Sequence, residues 1–442
     1  MTTTRWRTEA RRARGVVAIA ALIACACTPV AGPVDVEVVA PGDDDRYALV
    51  TRTLDSVVDL HRGQGTLFDV RAGAGLDIVG AASDDVLTAS DVSALESAES
   101  SGVYQGTEVH PSLTYDPFGD RYLADDMDSL TYLTIFEGFE EVWRYFHDTI
   151  GDRSLATSRK TIIALYGDAV LSAAFPFPLP IIPKSDNAAF HPIFDFFLVM
   201  RTQDQDGVPF AMHPAMTAHE FQHRVHHWNM TAHEGVFGAW KTAASSREAQ
   251  IQRAVDEGLA DIFAYGHTGG DPAFLARALV DKPLSVTGLA GIGFELHARL
   301  RDLDGEFARA LTYEEIVNGS DDETIRTFCG SLEGTDPLTG GAAGFNPYCL
   351  GTLVARALLE TADMSHATLV DDVLPGVHAA LALLAERIAR VVDEGGVYDY
   401  RLEWALDAFA VSLDAERRAR FCEVVGERFA PLVDEGLVAE CP

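Results

Sequence analysis

His219-Glu220-Phe221-Gln222-His223 decides how this 442-residue chain is read. Histidines at i and i+4 of a helix stand one above the other on one face, and two neutral imidazoles at that spacing can share one zinc ion. Glu220 points about 100° round the helix from His219, close enough to handle a water on the metal. The neighbourhood favours a helix. Pro214 suits a first turn, and Met216, Phe221, Val225 and Trp228 supply an apolar stripe. With 14 histidines in the chain, about 0.03 accidental matches are expected, so the pattern needs support from elsewhere. The bland alternative is a polar helix edge.

Support comes from Glu257-Gly258-Leu259-Ala260-Asp261. A hydrolytic zinc site takes three protein ligands and keeps one position open. Glu257 lies in a second helical pattern, with Ile251, Val255, Leu259, Ile262 and Phe263 as apolar face and Ser245 and Glu248 at capping-box spacing. Glu257 and Asp261 share a face. That suits Glu257 as third ligand and Asp261 as acceptor of the other N–H of a ligand histidine. Taken alone, the two acids read equally well as solvated helix positions. His233, in an expected loop over 229–244, is the alternative ligand. His226 shares the face of His219, but three consecutive turns of a straight helix cannot converge on one small ion. His226 and His227 are therefore read as rim or supporting residues. Another zinc-peptidase class places a Gly and a third His after the motif; His226 and Asn229 hold those positions here, so that class does not fit.

Over residues 129–266 the chain resembles the thermolysin-like gluzincins, zinc peptidases with Glu as third ligand. Beyond the zinc motif, Asp186-Asn187-Ala188-Ala189-Phe190 looks like that family's edge strand. The order of elements is also similar. A helix with apolar face Tyr132, Ile135, Phe136, Phe139, Val142, Trp143, Phe146 and Ile150 ends at Gly151. Strand 161–166, the edge strand, strand 194–201, an Asp206-Gly207 turn, the zinc helix and the Glu helix follow. The resemblance implies an α+β, two-lobed zincin with one catalytic Zn2+ in the cleft, held by His219, His223 and Glu257. It implies Glu220 as general base, and Asn187 and Ala188 as main-chain contacts for an extended peptide. The family often binds structural Ca2+, but no motif here supports it; Asp43-Asp44-Asp45, Asp84-Asp85 and Asp321-Asp322-Glu323 read as solvated turns. Where the family has a histidine that stabilises the transition state, this chain has Asn346-Pro347-Tyr348-Cys349-Leu350-Gly351. Tyr348 is the candidate donor there, its alternative being a packed loop aromatic.

The first 24 residues read as a targeting segment. Arg5, Arg7, Arg11, Arg12 and Arg14 precede a short apolar run, and Leu22-Ile23-Ala24-Cys25 resembles a bacterial lipoprotein signal with Cys25 as the lipidated residue. An ordinary signal peptide is the alternative, and Cys27 a poorer lipidation candidate. Residues 25–45 read as a tether, 46–244 as a mixed α/β lobe carrying the zinc helix, and 245–442 as a mainly helical lobe. The roughly one hundred residues before 129 are too few for the first lobe and a large inhibitory pro-segment, so no long pro-segment is expected. No later apolar run is expected to cross a membrane. Four further cysteines allow three pairings; spacing favours Cys329 with Cys349 and Cys422 with Cys441.

The formal charge of −33 becomes −37 without residues 1–24, which carry five Arg and one Glu. Nucleic acid and anionic membrane surfaces are thereby excluded as partners, leaving a lipid anchor as the only membrane contact. The expected function is an exported, lipid-anchored zinc endopeptidase of the bacterial cell envelope, or a secreted form, acting on peptides or proteins. Two other readings stand beside it: a zinc-binding lipoprotein on a peptidase-like scaffold with little turnover, and a helical lipoprotein with an accidental motif. Substrate preference and oligomeric state are not legible.

Overall fold

The computed structural model describes residues 29–41, 47–73, 76–79, 106–158, 160–166, 169–172, 182–184, 188–192, 195–200, 212–231, 234–243, 246–270, 301–330 and 346–441. Cys25, Cys27, Asn187, His233 and Ser245 lie outside these residues.

The N-terminal lobe is built on strands: β1 (Val34–Pro41), β2 (Tyr47–Leu54), β3 (Val57–Asp59), β4 (Gln64–Gly65), β5 (Phe68–Ala72), β6 (Leu76–Val79), β7 (Thr107–Glu108), β8 (Leu113–Asp116), β9 (Arg121–Ala124), β10 (Thr161–Tyr166), β11 (Ala169–Ser172), β12 (Ile182–Lys184), β13 (Ala188–His191) and β14 (Phe196–Met200). Among the described residues they form three sheets. Two are small, with orders β2-β1-β9-β8 and β12-β11-β6. The third runs β13-β14-β10-β5-β4-β3, with β7 against β5. β5, β10 and β14 are parallel. β5 alternates, with Phe68 and Val70 buried and Asp69 and Arg71 half-buried. β10 and β14 read as nearly continuous apolar runs, as strands covered on both faces do. Ile163, Ala164, Leu165, Phe196, Phe197, Leu198 and Val199 are all buried accordingly. β13 turns back antiparallel at the end of this sheet, with Ala188 opposite Val199 and Phe190 opposite Phe197.

Four helices carry the chain toward the second lobe: α1 (Met127–Arg144), α2 (Pro214–Thr231), α3 (Glu234–Thr242) and α4 (Arg247–His267). Asp126 caps α1 by accepting from the Ser129 N–H at 2.7 Å. The helix continues as a π turn, Tyr145–Ile150, and stops at Gly151, whose φ of 88° only glycine adopts without strain. The second lobe is helical: α5 (Glu306–Ala310), α6 (Tyr313–Asn318), α7 (Glu323–Cys329), α8 (Pro347–Thr361), α9 (Leu374–Asp393), α10 (Leu402–Ser412), α11 (Ala415–Arg428) and α12 (Ala430–Asp434). Disulfides join Cys329 to Cys349 and Cys422 to Cys441. The first pins the start of α8 beside Tyr348.

An aromatic column binds the layers. Phe139 of α1 meets Phe197 of β14 with ring centroids 4.6 Å apart. Phe146 stacks on Phe221 of α2 at 5.3 Å and on Phe263 of α4 at 5.4 Å. Each ring buried this fully contributes about 1.5–3 kcal/mol. The same ring thus touches both helices that will supply the site.

Several expectations are corrected. Residues 34–41, expected within the tether, are strand β1: Val36 and Val38 are buried while Asp35 and Glu37 face outward, an alternation disguised by Pro33 and Pro41. The expected loop over 229–244 contains α3, whose buried Val236 and half-buried Phe237 and Trp240 are interleaved with Gly235 and Gly238. The cap of α4 is Ser246, which accepts from the Ala249 N–H at 3.2 Å, and not Ser245; adjacent serines offered the same chemistry one residue apart. The helical run His366–Asp393 is, by length and composition, long and apolar enough to cross a bilayer, contrary to expectation. Here Leu374, Val377, Leu381, Leu384 and Ile388 of that run are buried in the core.

Candidate metal centre

α2 presents His219 and His223 on one face, as the spacing requires. Their Nε2 atoms lie 3.0 Å apart. Glu257 comes from the buried face of α4, with Oε2 at 3.4 Å from the Nε2 of His219 and 3.7 Å from that of His223. All three ligand atoms fall within 4.8 Å of one another, and the cluster is sealed from solvent on most sides. Two imidazoles and one carboxylate are the donor chemistry of a zinc site with an open position. The group is a metal-ligand triad typical of a zinc metalloenzyme active site, of the His-x-x-x-His with distant Glu type.

How α4 delivers Glu257 follows from the next residue. Gly258 of α4 faces Gly351 of α8, and a Cβ at Gly258 would sit 2.3 Å from the Gly351 carbonyl oxygen. The two helices cross at backbone contact because neither has a side chain there. Under α2, Gly138 of α1 leaves the Thr217 hydroxyl only 3.1 Å from where its Cβ would be.

The far nitrogen of each ligand histidine has a carboxylate. His219 Nδ1 is 2.9 Å from Asp261 Oδ1, the carboxylate expected from sequence, at ion-pair distance but without the alignment of a hydrogen bond. His223 Nδ1 is 2.9 Å from Asp256 Oδ2, which sequence reasoning missed. Asp256 turns its other oxygen to His226 Nδ1 at 3.1 Å, so His226 supports the site from behind rather than at its rim. Such partners fix which nitrogen each ring presents and how it is aimed. Gln222 is fully buried, and neither of its amide atoms has a partner among the described residues.

The electrostatics are those of a cation site. Burial opposes charge on His223, yet Asp256 and Glu257 outweigh it and hold the imidazole up at about 10. His219 is likewise raised against its burial by Asp261 and Glu257. Glu257 is held well below the usual carboxylate range because His223, His219 and Arg301 outweigh its desolvation. The surrounding field favours positive charge where the two Nε2 atoms converge. Burial lowers His226, against the opposing pull of Asp256.

Glu220 does not join the triad. Its Oε2 accepts from the main-chain N–H of Phe190 in β13 at 2.8 Å, tying the motif's carboxylate to the edge strand. Arg301 was also missed. Its Nη2 donates to Glu257 Oε2 at 3.0 Å, its Nε lies 3.7 Å from Asp261 Oδ2, and its guanidinium sits 4.5 Å above the Tyr348 ring. Tyr348 therefore lies against Arg301, which in turn donates to Glu257. Ala188 opens β13, two residues before the Phe190 contact. Asp256 had a weak signal, an acid directly before the ligand Glu; Arg301 had none. The chain matches no family model and no curated protein.

Proposed function

We propose that the chain is an exported, lipid-anchored zinc metallopeptidase of the thermolysin-like type. Glu220 carries this reading. Binding a metal needs only the triad and its supporting acids; a fourth carboxylate beside it, aimed by a main-chain hydrogen bond from the edge strand, is what hydrolysis needs.

His219, His223 and Glu257 would hold the zinc, which when bound would supply a Lewis acid for a carbonyl and a lowered pKa for a water. Asp261 and Asp256 keep the two imidazoles in the tautomer that presents Nε2. Glu220 takes the proton from the attacking water and returns it to the leaving amine, with Phe190 N–H holding the carboxylate in place. A peptide adds as a strand along β13 near Ala188, held by main-chain hydrogen bonds, with Asn187 as a further contact. Tyr348, positioned by Arg301, donates to the developing oxyanion in place of a histidine.

The alternative, a zinc-binding lipoprotein with little turnover, draws on one observation: the first turn of α8 has Tyr348, not histidine, packed against Arg301. Zinc content with casein or peptide hydrolysis, with and without a chelator, decides between them. Glu220→Gln should keep zinc and lose about 100-fold or more in turnover, whereas His223→Ala should lose both. Undiminished hydrolysis by Glu220→Gln would sink the mechanism.

A further inference from the structure

The hairpin that bears β13 is fastened to α2 at a second place. Asp195, the residue before β14, has a φ of 50°, unusual outside glycine though Asp tolerates it better than most residues. Its N–H donates to the His191 carbonyl at 2.9 Å and closes the hairpin. Its side chain is buried, and Oδ1 accepts from Arg224 Nε at 2.9 Å and from Trp228 Nε1 at 3.0 Å. Arg224 directly follows the ligand His223 and is 2% exposed. Its guanidinium carbon lies 5.3 Å from the Trp228 ring centroid and 5.9 Å from that of Phe221.

A buried ion pair is a poor source of net stability, since desolvation offsets most of the attraction. It is directional, however, and this one joins two elements whose relative placement sets the chemistry. β13 has only β14 beside it in the described sheet, and its Phe190 N–H must meet Glu220 one turn before Arg224 on the same helix. By alternation along β13, Ala188 and Phe190 direct their main-chain groups to the outer edge, while His191 faces the hairpin. A small shift of the hairpin along α2 would carry any peptide paired with that edge out of register with Glu220.

We propose that Asp195, with Arg224 and Trp228, is a positioning clamp that locks the β13–β14 hairpin onto the motif helix, so that an extended peptide is delivered in register with Glu220. The clamp touches no reacting atom. The part that concerns peptide delivery rests on the peptidase reading; the clamping itself does not.

The test uses the full zinc-loaded chain and two variants. Asp195→Gly keeps the φ and removes the carboxylate; Asp195→Asn keeps an acceptor on the same backbone. Three quantities are read: kcat and KM on a long peptide and on a blocked dipeptide too short to lie along β13, zinc content, and hydrogen exchange of peptides from 188–200 and from α2. For Asp195→Gly, kcat/KM on the long peptide should fall about tenfold or more, chiefly through KM, and on the dipeptide by no more than about twofold. Zinc content should be unchanged, and exchange over 188–200 should quicken about tenfold while α2 stays protected. Asp195→Asn should recover to within about threefold. Equal losses on both substrates, zinc loss in step with activity, or unchanged exchange in the hairpin would overturn the clamp. A wild-type chain that holds zinc but cleaves neither peptide would sink the peptidase reading alone, and the exchange comparison would still decide whether Asp195 fastens the hairpin.

Discussion

Asp256 shows how much of a metal site lies outside its ligands. One carboxylate spans His223 Nδ1 and His226 Nδ1, so it aims a ligand ring and is itself held from the other side. Asp256→Ala should therefore weaken zinc binding about 10- to 100-fold, as measured by competition with a chelator of known affinity. Asp256→Asn should lose less, because its amide oxygen can still accept from the ring. Equal zinc affinity in all three proteins would remove Asp256 from the site. Asp261 was legible because it stands one turn past Glu257 on the same face. Asp256 was not, because it precedes Glu257 and points about 100° away, and only the arrival of α2 on that side gives it a histidine. Arg301 was invisible for a stronger reason: its partners Glu257, Asp261 and Tyr348 come from distant parts of the chain.

Between elements, the position of Glu257 depends on the contact of α4 with α8. A Cβ at Gly351 would lie 2.8 Å from the Ala254 carbonyl oxygen and 2.9 Å from the Gly258 nitrogen, both backbone atoms that cannot give way. Gly351→Ala must push the helices apart. It should cost about 1–3 kcal/mol in denaturant unfolding and lower zinc affinity, since Glu257 moves with α4. Gly426 of α11 is the control: nothing lies within 4 Å of its would-be Cβ, and Gly426→Ala should stabilise by up to about 1 kcal/mol through helix propensity alone. If both substitutions behave alike, the close crossing is not what holds α4. The helices themselves were legible where an apolar stripe runs uninterrupted, as in α1 and α4. α3 was missed because Gly235 and Gly238 break its pattern, and β1 because prolines bracket it; neither feature signals what the neighbouring element will bury.

Across the whole molecule, the site is a joint between lobes. The strand-rich lobe contributes α2 with its two histidines, and α4, packed on α8, brings the carboxylate. That two-lobed plan was readable from the change of pattern along the chain, from strands to continuous helical periodicity. The sheet order was not, since β5, β10 and β14 pair across long separations that local periodicity does not encode. A cation bound by ligands from both lobes binds the folded chain and not the unfolded one, and so must stabilise it. At free zinc about 1,000 times the dissociation constant the gain is about 4 kcal/mol. Scanning calorimetry should show the unfolding transition several degrees higher with zinc than with chelator, without reduction of the two disulfides. His219→Ala should abolish the zinc-induced shift, and, since it takes a buried imidazole from between Asp261 and Glu257, its transition with chelator should also lie below that of the unaltered chain. A zinc-induced shift of equal size in His219→Ala would mean that the ion binds elsewhere, and the joint between the lobes would then be held by apolar packing alone.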